Sequence, residues 1–246
     1  MLLRLITESK PLDEVIFYNS GAEFRSIYTV RDYFLPLLKD NGIKYTELNP
    51  CRDFFYEMLE YPFTKRNGIE QQGRGWCGGP CRWGTREKLT AISKYFRSIS
   101  DKNIVSYVGI AADEPLRLRR LTPEKIAPLA EWGMTETDAL RYCHENNIFW
   151  NENGVELYDV LDRVSCWCCC NKNLKELRAI FEYLPEYWER LKELQDRIGH
   201  PMKKYRTYYR DIGAIGDLHI LEKQFLEWRN YDTCGNLCLL RTSGRI

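Results

Sequence analysis

The sequence predicts an α/β fold with a parallel sheet, followed by a helical, cysteine-rich C-terminal region. Three observations predict it. A strand, a helix and a second strand follow one another over residues 15–48, another apolar strand follows a helix at 104–110, and helical spacing takes over beyond residue 173.

Val15-Ile16-Phe17-Tyr18 is an apolar, β-rich run that stops at Asn19-Ser20-Gly21, which reads as a buried strand ending in a loop. From Glu23 to Lys39, apolar residues at Phe24, Ile27, Tyr28, Val30, Tyr33, Phe34, Leu37 and Leu38 keep a mostly helical spacing, with Pro36 as the place for a kink. Asp40-Asn41-Gly42 turns the chain into a second strand at 43–48, completing a βαβ unit with parallel strands. Residues 62–80 are polar and glycine-rich and are expected to form a long loop of the kind that covers a site. A helix at 85–96 and the strand at 104–110 follow, and the loop after that strand, Gly109 to Pro115, lies where open α/β sheets bind ligands. Thr135 is placed to cap a helix that runs to His144. Leu174, Leu177, Phe181 and Leu184, then Trp188, Leu191, Leu194 and Ile198, give two amphipathic helices parted near Pro185, and a last helix covers 218–228.

A composition of 44% hydrophobic, 29% charged and 13% aromatic residues is that of a globular protein. The formal net charge of +1 argues against a general electrostatic grip on nucleic acid or an anionic membrane. Basic residues and tyrosines do alternate from Lys203 to Arg210, which reads as a mixed surface. No apolar run approaches the length that crosses a bilayer. The first ten residues are broken by Arg4 and Glu8 and lack a small-residue cleavage site, so they read as mature protein. Ten cysteines without an export signal point to a reducing cytoplasm, where clustered thiols favour metal over disulfides.

The densest cluster is Cys166-Trp167-Cys168-Cys169-Cys170, with further pairs at Cys77/Cys81 and Cys234/Cys238. Gly78, Gly79 and Pro80 make a tight turn that aims the first pair inward. Thiolates are soft ligands that suit zinc or an iron–sulfur cluster, whereas the bland alternative is packing of thiols as small hydrophobes. Adjacent cysteines alternate faces in an extended segment, so all four of the cluster would not meet one ion. The best four ligands are Cys77, Cys81, Cys166 and Cys169, with Cys168 and Cys170 as alternates. Arg117, Arg119 and Arg120 form a cation cluster suited to phosphate or sulfate, or else a solvated basic face. His144, His200 and His219 are scattered and are not expected to be catalytic.

Three segments taken in order resemble the phosphoadenosine phosphosulfate reductase family of the adenine nucleotide α-hydrolase superfamily. Residues 15–24, Val-Ile-Phe-Tyr-Asn-Ser-Gly-Ala-Glu-Phe, are similar to that family's second strand and its Asp-Thr-Gly loop, and Tyr107-Val108-Gly109-Ile110 with Asp113, Glu114 and Arg117 resembles its Gly-Ile-Arg loop. Lys125 to Trp132 is similar to its Pro-Leu-x-x-Trp segment. The cysteine-rich stretches resemble a bacterial and phage branch of the family.

The resemblance implies a doubly wound, mostly parallel sheet spanning residues 1–165, with residues 166–246 as a cysteine-rich helical region packed on it. It implies an adenine nucleotide, ATP or a phosphosulfate, bordered by Asn19, Ser20, Gly21, Glu23 and Gly109, with Arg117, Arg119 and Arg120 at its phosphates or sulfate. Zinc or a four-iron cluster as cofactor, Mg as a companion of the nucleotide, and a sulfur donor or thiol reductant as partner follow from it too. The departures are specific. Asn19 replaces an aspartate, Ala111 an arginine, and the first strand with its glycine-rich phosphate loop is absent, so Met1 to Lys10 corresponds to the helix after that loop. Cys234, in Thr233-Cys234-Gly235, is only a faint echo of the family's catalytic C-terminal cysteine. An enzyme of sulfate reduction, sulfur transfer or adenylation is therefore weighed against a non-catalytic nucleotide- or partner-binding protein. Loss of a first strand would leave sheet edges open and favour a homodimer.

Overall fold

The computed structural model describes residues 1–76, 81, 84–99, 103–203 and 216–229. Its elements are, in order, α1 (Leu2–Thr7), β1 (Glu14–Tyr18), α2 (Arg25–Asp40), β2 (Lys44–Leu48), α3 (Phe54–Leu59), β3 (Pro62–Thr64), β4 (Glu70–Gln72) and α4 (Gly84–Ser98). Then come β5 (Ser106–Tyr107), α5 (Pro115–Leu118), β6 (Lys125–Ile126), α6 (Pro128–Glu131), α7 (Glu136–Glu145), β7 (Asn151–Glu152) and β8 (Val155–Glu156). The rest is helical: α8 (Leu157–Val160), α9 (Leu174–Tyr183), α10 (Pro185–Ile198) and α11 over 218–229. The fold is mixed α/β, and its sheets have two strands each among the described residues. No described helix is long and apolar enough to cross a membrane.

The chain forms two units, one of Met1–Cys51 with Thr85–Glu152, the other of Arg52–Gly84 with Asn153–Ile246. In the first, β1 pairs with β2 in parallel from Glu14 opposite Lys44 to Tyr18 opposite Leu48, as the strand–helix–strand order requires. The helix between them runs unbroken through Pro36. Its N-cap residue, Phe24, supplies no side-chain cap, and the buried Glu152 carboxylate takes that part by accepting the Ser26 N–H at 2.7 Å. Beneath lie Leu5, Ala22, Phe24 and Leu38, all at most 2% exposed. A second parallel pair joins β5 to β6. The strand expected over 104–110 keeps its ladder only at Ser106–Tyr107. By contrast α7 begins as the sequence predicts, with Thr135 and Asp138 closing a reciprocal capping box.

The second unit packs α9, α10 and α11 around Phe181, Trp188 and Phe225, whose ring centroids lie 5.5–5.8 Å apart. Pro185 parts α9 from α10 by standing in the first turn of α10, where its missing N–H costs nothing. Residues 62–72, expected within a long loop, form an antiparallel hairpin instead, with Pro62 opposite Gln72 and Thr64 opposite Glu70. Gly68, at φ +80°, turns it. The chain then lies along the end of α3: Gly73, Arg74 and Gly75 donate to the carbonyls of Tyr61, Glu57 and Met58 at 2.8–3.0 Å. Gly73 has φ +68°, and a Cβ there would stand 2.5 Å from the Leu59 carbonyl carbon and Met58 oxygen, so only glycine fits.

Candidate functional site

The cysteine run lies in the second unit and is folded into turns, not extended. Cys169 N–H donates to the Cys166 carbonyl at 3.0 Å and Lys172 N–H to the Cys169 carbonyl at 3.1 Å. The expectation that neighbouring thiols alternate faces therefore does not hold; turn geometry replaces strand geometry because each backbone donor finds an acceptor three residues back. Trp167 anchors the run: it stacks on Phe55 at 5.7 Å, lies 5.9 Å from Tyr187, and carries the Arg190 guanidinium 4.1 Å over its ring.

Cys168 and Cys170 are buried, while Cys81, Cys166 and Cys169 are partly exposed. Burial pushes the Cys168 thiol well up, with Cys166 and Cys169 adding to the effect. Burial likewise pushes Cys170 up to about 11, followed by the neighbouring Cys169 and Cys81, while Lys203 opposes. Cys81, distant in sequence, is thus within electrostatic reach of Cys170. Gly84 makes room for it, since a Cβ at that position would meet the Cys81 sulfur at 2.7 Å.

Two lysines belong to the same neighbourhood; the sequence marked Lys203 as the start of a basic, tyrosine-rich stretch and did not mark Lys172. Lys172 is 2% exposed and donates to Ser165 Oγ at 3.3 Å. Burial lowers its pKa, while Glu176 first and then Cys169, Cys166 and Cys168 favour its charge. Lys203 is lowered by burial as well, with Cys170, Glu176 and Cys169 acting the other way. The only warning of Lys172 was its place two residues beyond the last thiol.

Of the expected ligands, Cys81, Cys166, Cys168, Cys169 and Cys170 share the second unit, and Cys77 lies outside the described residues, as do Cys234, Cys238 and residues 204–210. Among the described residues no three Cys, His, Asp or Glu side chains form a group that would hold a metal by themselves. The donor chemistry nevertheless fits a thiophilic metal: five thiols with two nearby ammonium groups suit the negative charge of a multi-thiolate centre.

The expected nucleotide residues lie in the first unit. Asn19 stands just past β1, its N–H extending the ladder to the Leu48 carbonyl at 2.8 Å. Its side chain accepts from Gly21 N–H at 3.0 Å and Tyr28 O–H at 2.9 Å, and donates to Glu47 at 2.8 Å. Ser20 Oγ donates to Glu23 at 2.8 Å and accepts the Ala22 N–H at 3.2 Å. Glu47 is the hub: Tyr45 O–H donates to it at 2.9 Å and Arg31 lies 3.3 Å away. The Asn19 hydrogen bond, more than Tyr45 and Arg31, holds its carboxyl below the ordinary value, and burial followed by the bond to Glu47 pushes Tyr45 up to about 12.

Arg117 pairs with Glu114, whose other oxygen accepts the Ala111 N–H at 3.1 Å. Arg119 and Arg120 are exposed at the end of α5, and Gly109 is exposed beyond β5. No hydrogen bond or ion pair joins these arginines to the Asn19–Glu23 loop.

No family model matches the chain, and no solved structure matches it. An uncharacterized protein of Methanocaldococcus jannaschii is 24% identical over 200 residues, which cover 77% of this chain and 37% of that protein. The chain thus spans little more than a third of that relative's length.

Proposed function

We propose that this chain is a phosphoadenosine phosphosulfate reductase-like protein that acts on an adenine nucleotide in sulfur transfer, sulfate reduction or adenylation, with a cysteine-bound metal. The observation that carries the metal is the gathering of Cys81 with the Cys166–Cys170 turns beside Lys172 and Lys203. In this reading Cys77, Cys81, Cys166 and Cys169 hold zinc or a four-iron cluster, with Cys168 and Cys170 as alternates. A closed thiolate set supplies structural cross-linking in the first case and one-electron transfer in the second. Buried Lys172 would offset thiolate charge, and the stacked Trp167 fixes the run against α3 and α10.

The nucleotide reading is supported by the parallel β1–α2–β2 unit, whose loop at the carboxyl end of β1 is ordered by its own side chains, and by the second parallel pair. The two pairs are taken as parts of a doubly wound sheet. Asn19, Ser20, Gly21, Glu23 and Gly109 would border the adenosine, and Arg117, Arg119 and Arg120 would meet its phosphates or sulfate, with Mg as its companion. A cytoplasmic setting, a sulfur donor or thiol reductant as partner, and a homodimer accompany this reading. The alternative is a non-catalytic nucleotide- or partner-binding protein. The knotted Asn19–Glu47 hydrogen bonds favour that alternative to this extent: they occupy both acceptor positions of the Asn19 side-chain oxygen and one of its two amide N–H donors.

Metal content by mass spectrometry of the purified protein, with Cys81→Ser and Cys166→Ser, tests the centre: about one zinc or four irons per chain, lost in both variants, is expected. Unchanged metal in the variants refutes the ligand assignment. Sulfite from a phosphosulfate donor marks reduction, pyrophosphate from ATP marks adenylation, and neither marks the binder.

A further inference from the structure

The second unit contains a cavity of about 520 Å³, within the range of small-molecule sites. Its lining joins cations to rings: Lys65, Arg74 and Lys203 stand with Phe63 and Trp76, and the Cys170 side of the thiol run closes part of the wall. Among the described residues the lining has no carboxylate. The three cations differ. Arg74 is held by Glu57 at 2.7 Å and lies over the Phe63 and Tyr61 rings at 5.2 and 5.3 Å, so its charge is largely answered. Lys65 is exposed, and Lys203 is half-buried with no acidic group within ion-pair distance among the described residues.

The walls are built, not incidental. Gly199, at φ +71°, ends α10 in the left-handed conformation and turns the chain into His200–Lys203. The buried Gln195 side chain then accepts the Met202 N–H at 3.2 Å and the Leu218 N–H at 2.9 Å, which fixes the backbone beside Lys203. Trp76 Nε1–H donates to the His200 carbonyl at 2.9 Å, so the indole is tied to the same turn. The ring and the backbone that carries the Lys203 side chain are therefore preorganised, which lowers the cost of ordering them around a ligand.

We propose that this cavity binds a planar organic anion of mononucleotide size, with Lys203 and Lys65 at its charged group and Trp76 at its ring. A half-buried ammonium with no acidic group within ion-pair distance among the described residues gains from an incoming anion, because burial strengthens the pairing. The site lies in the second unit, whereas the Asn19–Glu23 loop belongs to the first, and it stands on its lining alone, whatever the thiols hold.

The test is calorimetric titration of the full chain at low salt with adenosine monophosphate, and with adenosine and inorganic phosphate as its two halves. Saturable binding of the monophosphate is expected, with each half roughly tenfold weaker or more. Lys203→Met and Trp76→Leu should each weaken it about tenfold. Lys65→Met, at an exposed position, should weaken it severalfold, and Arg141→Met, on the exposed face of α7, should leave it unchanged. Absence of saturable binding overturns the proposal, as does binding that resists both Lys65→Met and Lys203→Met. Binding lost in Asn19→Ala alone also overturns it, while supporting the nucleotide site of the first unit.

Discussion

The loop after β1 and the cysteine run of the second unit treat their ionisable groups in opposite ways. At the loop, Asn19, Tyr45 and Arg31 converge on Glu47 and hold its carboxyl low, so its charge is settled within the unit. Around the cysteine run, burial drives Cys168 and Cys170 up and Lys172 and Lys203 down, so both kinds of group are pushed toward neutrality. The difference teaches where to look for a ligand. A region whose charges are already answered is a rigid support, whereas buried thiols and ammonium groups that all lean away from their charged forms gain from a metal cation or an anion supplied from outside.

The contrast is open to attack at several points. The largest effect is expected in thiol chemistry: with iodoacetamide at pH 8, exposed Cys51 should be alkylated on the order of 100-fold faster than Cys168, which is 2% exposed and held as a thiol. Peptide mass spectrometry at timed intervals reads this. Equal rates would remove the shielded character of the cysteine run.

Next in size is Gly73→Ala, which meets backbone on α3 and strains a positive φ; a loss of about 3 kcal/mol by urea denaturation is expected. In the first unit, Glu152→Ala leaves the Ser26 N–H without its acceptor and should lose about 2 kcal/mol by the same measurement. A smaller loss than at an ordinary surface site would mean that water replaces the carboxylate.

The smallest effect concerns pH. Because the folded-state value of Glu47 lies below its ordinary one, its contribution to stability is present above the ordinary carboxylate pKa and is lost as the pH falls through the lower folded value. Glu47→Gln should therefore flatten the acid side of the stability–pH curve, measured by urea midpoints between roughly pH 3 and 6, around the ordinary glutamate value of 4.5. An unchanged slope would show that the hub is not electrostatic.

Local signals read correctly wherever the partners lie close in the chain. The Thr135 N-cap, the parting of α9 from α10 near Pro185 and the parallel pairing of β1 with β2 were all legible, since each depends on residues a turn or one crossover apart. The hairpin at 62–72 was missed although Asn67-Gly68 marks its turn, because its strands are only three residues long and too polar to show alternation. Turns in the cysteine run were missed for a related reason: thiols carry no period of their own.

What the sequence determined by itself is the set of local elements and the unusual density of thiols, because spacing, caps and turn residues act within a few bonds of themselves. Tertiary structure alone decided that Glu152 caps α2 from 126 residues away and that Lys65, Trp76 and Lys203 share one cavity. Those pairings arise from burial, which moves a pKa or closes a pocket only once distant segments have been packed together, and no single stretch of chain records it.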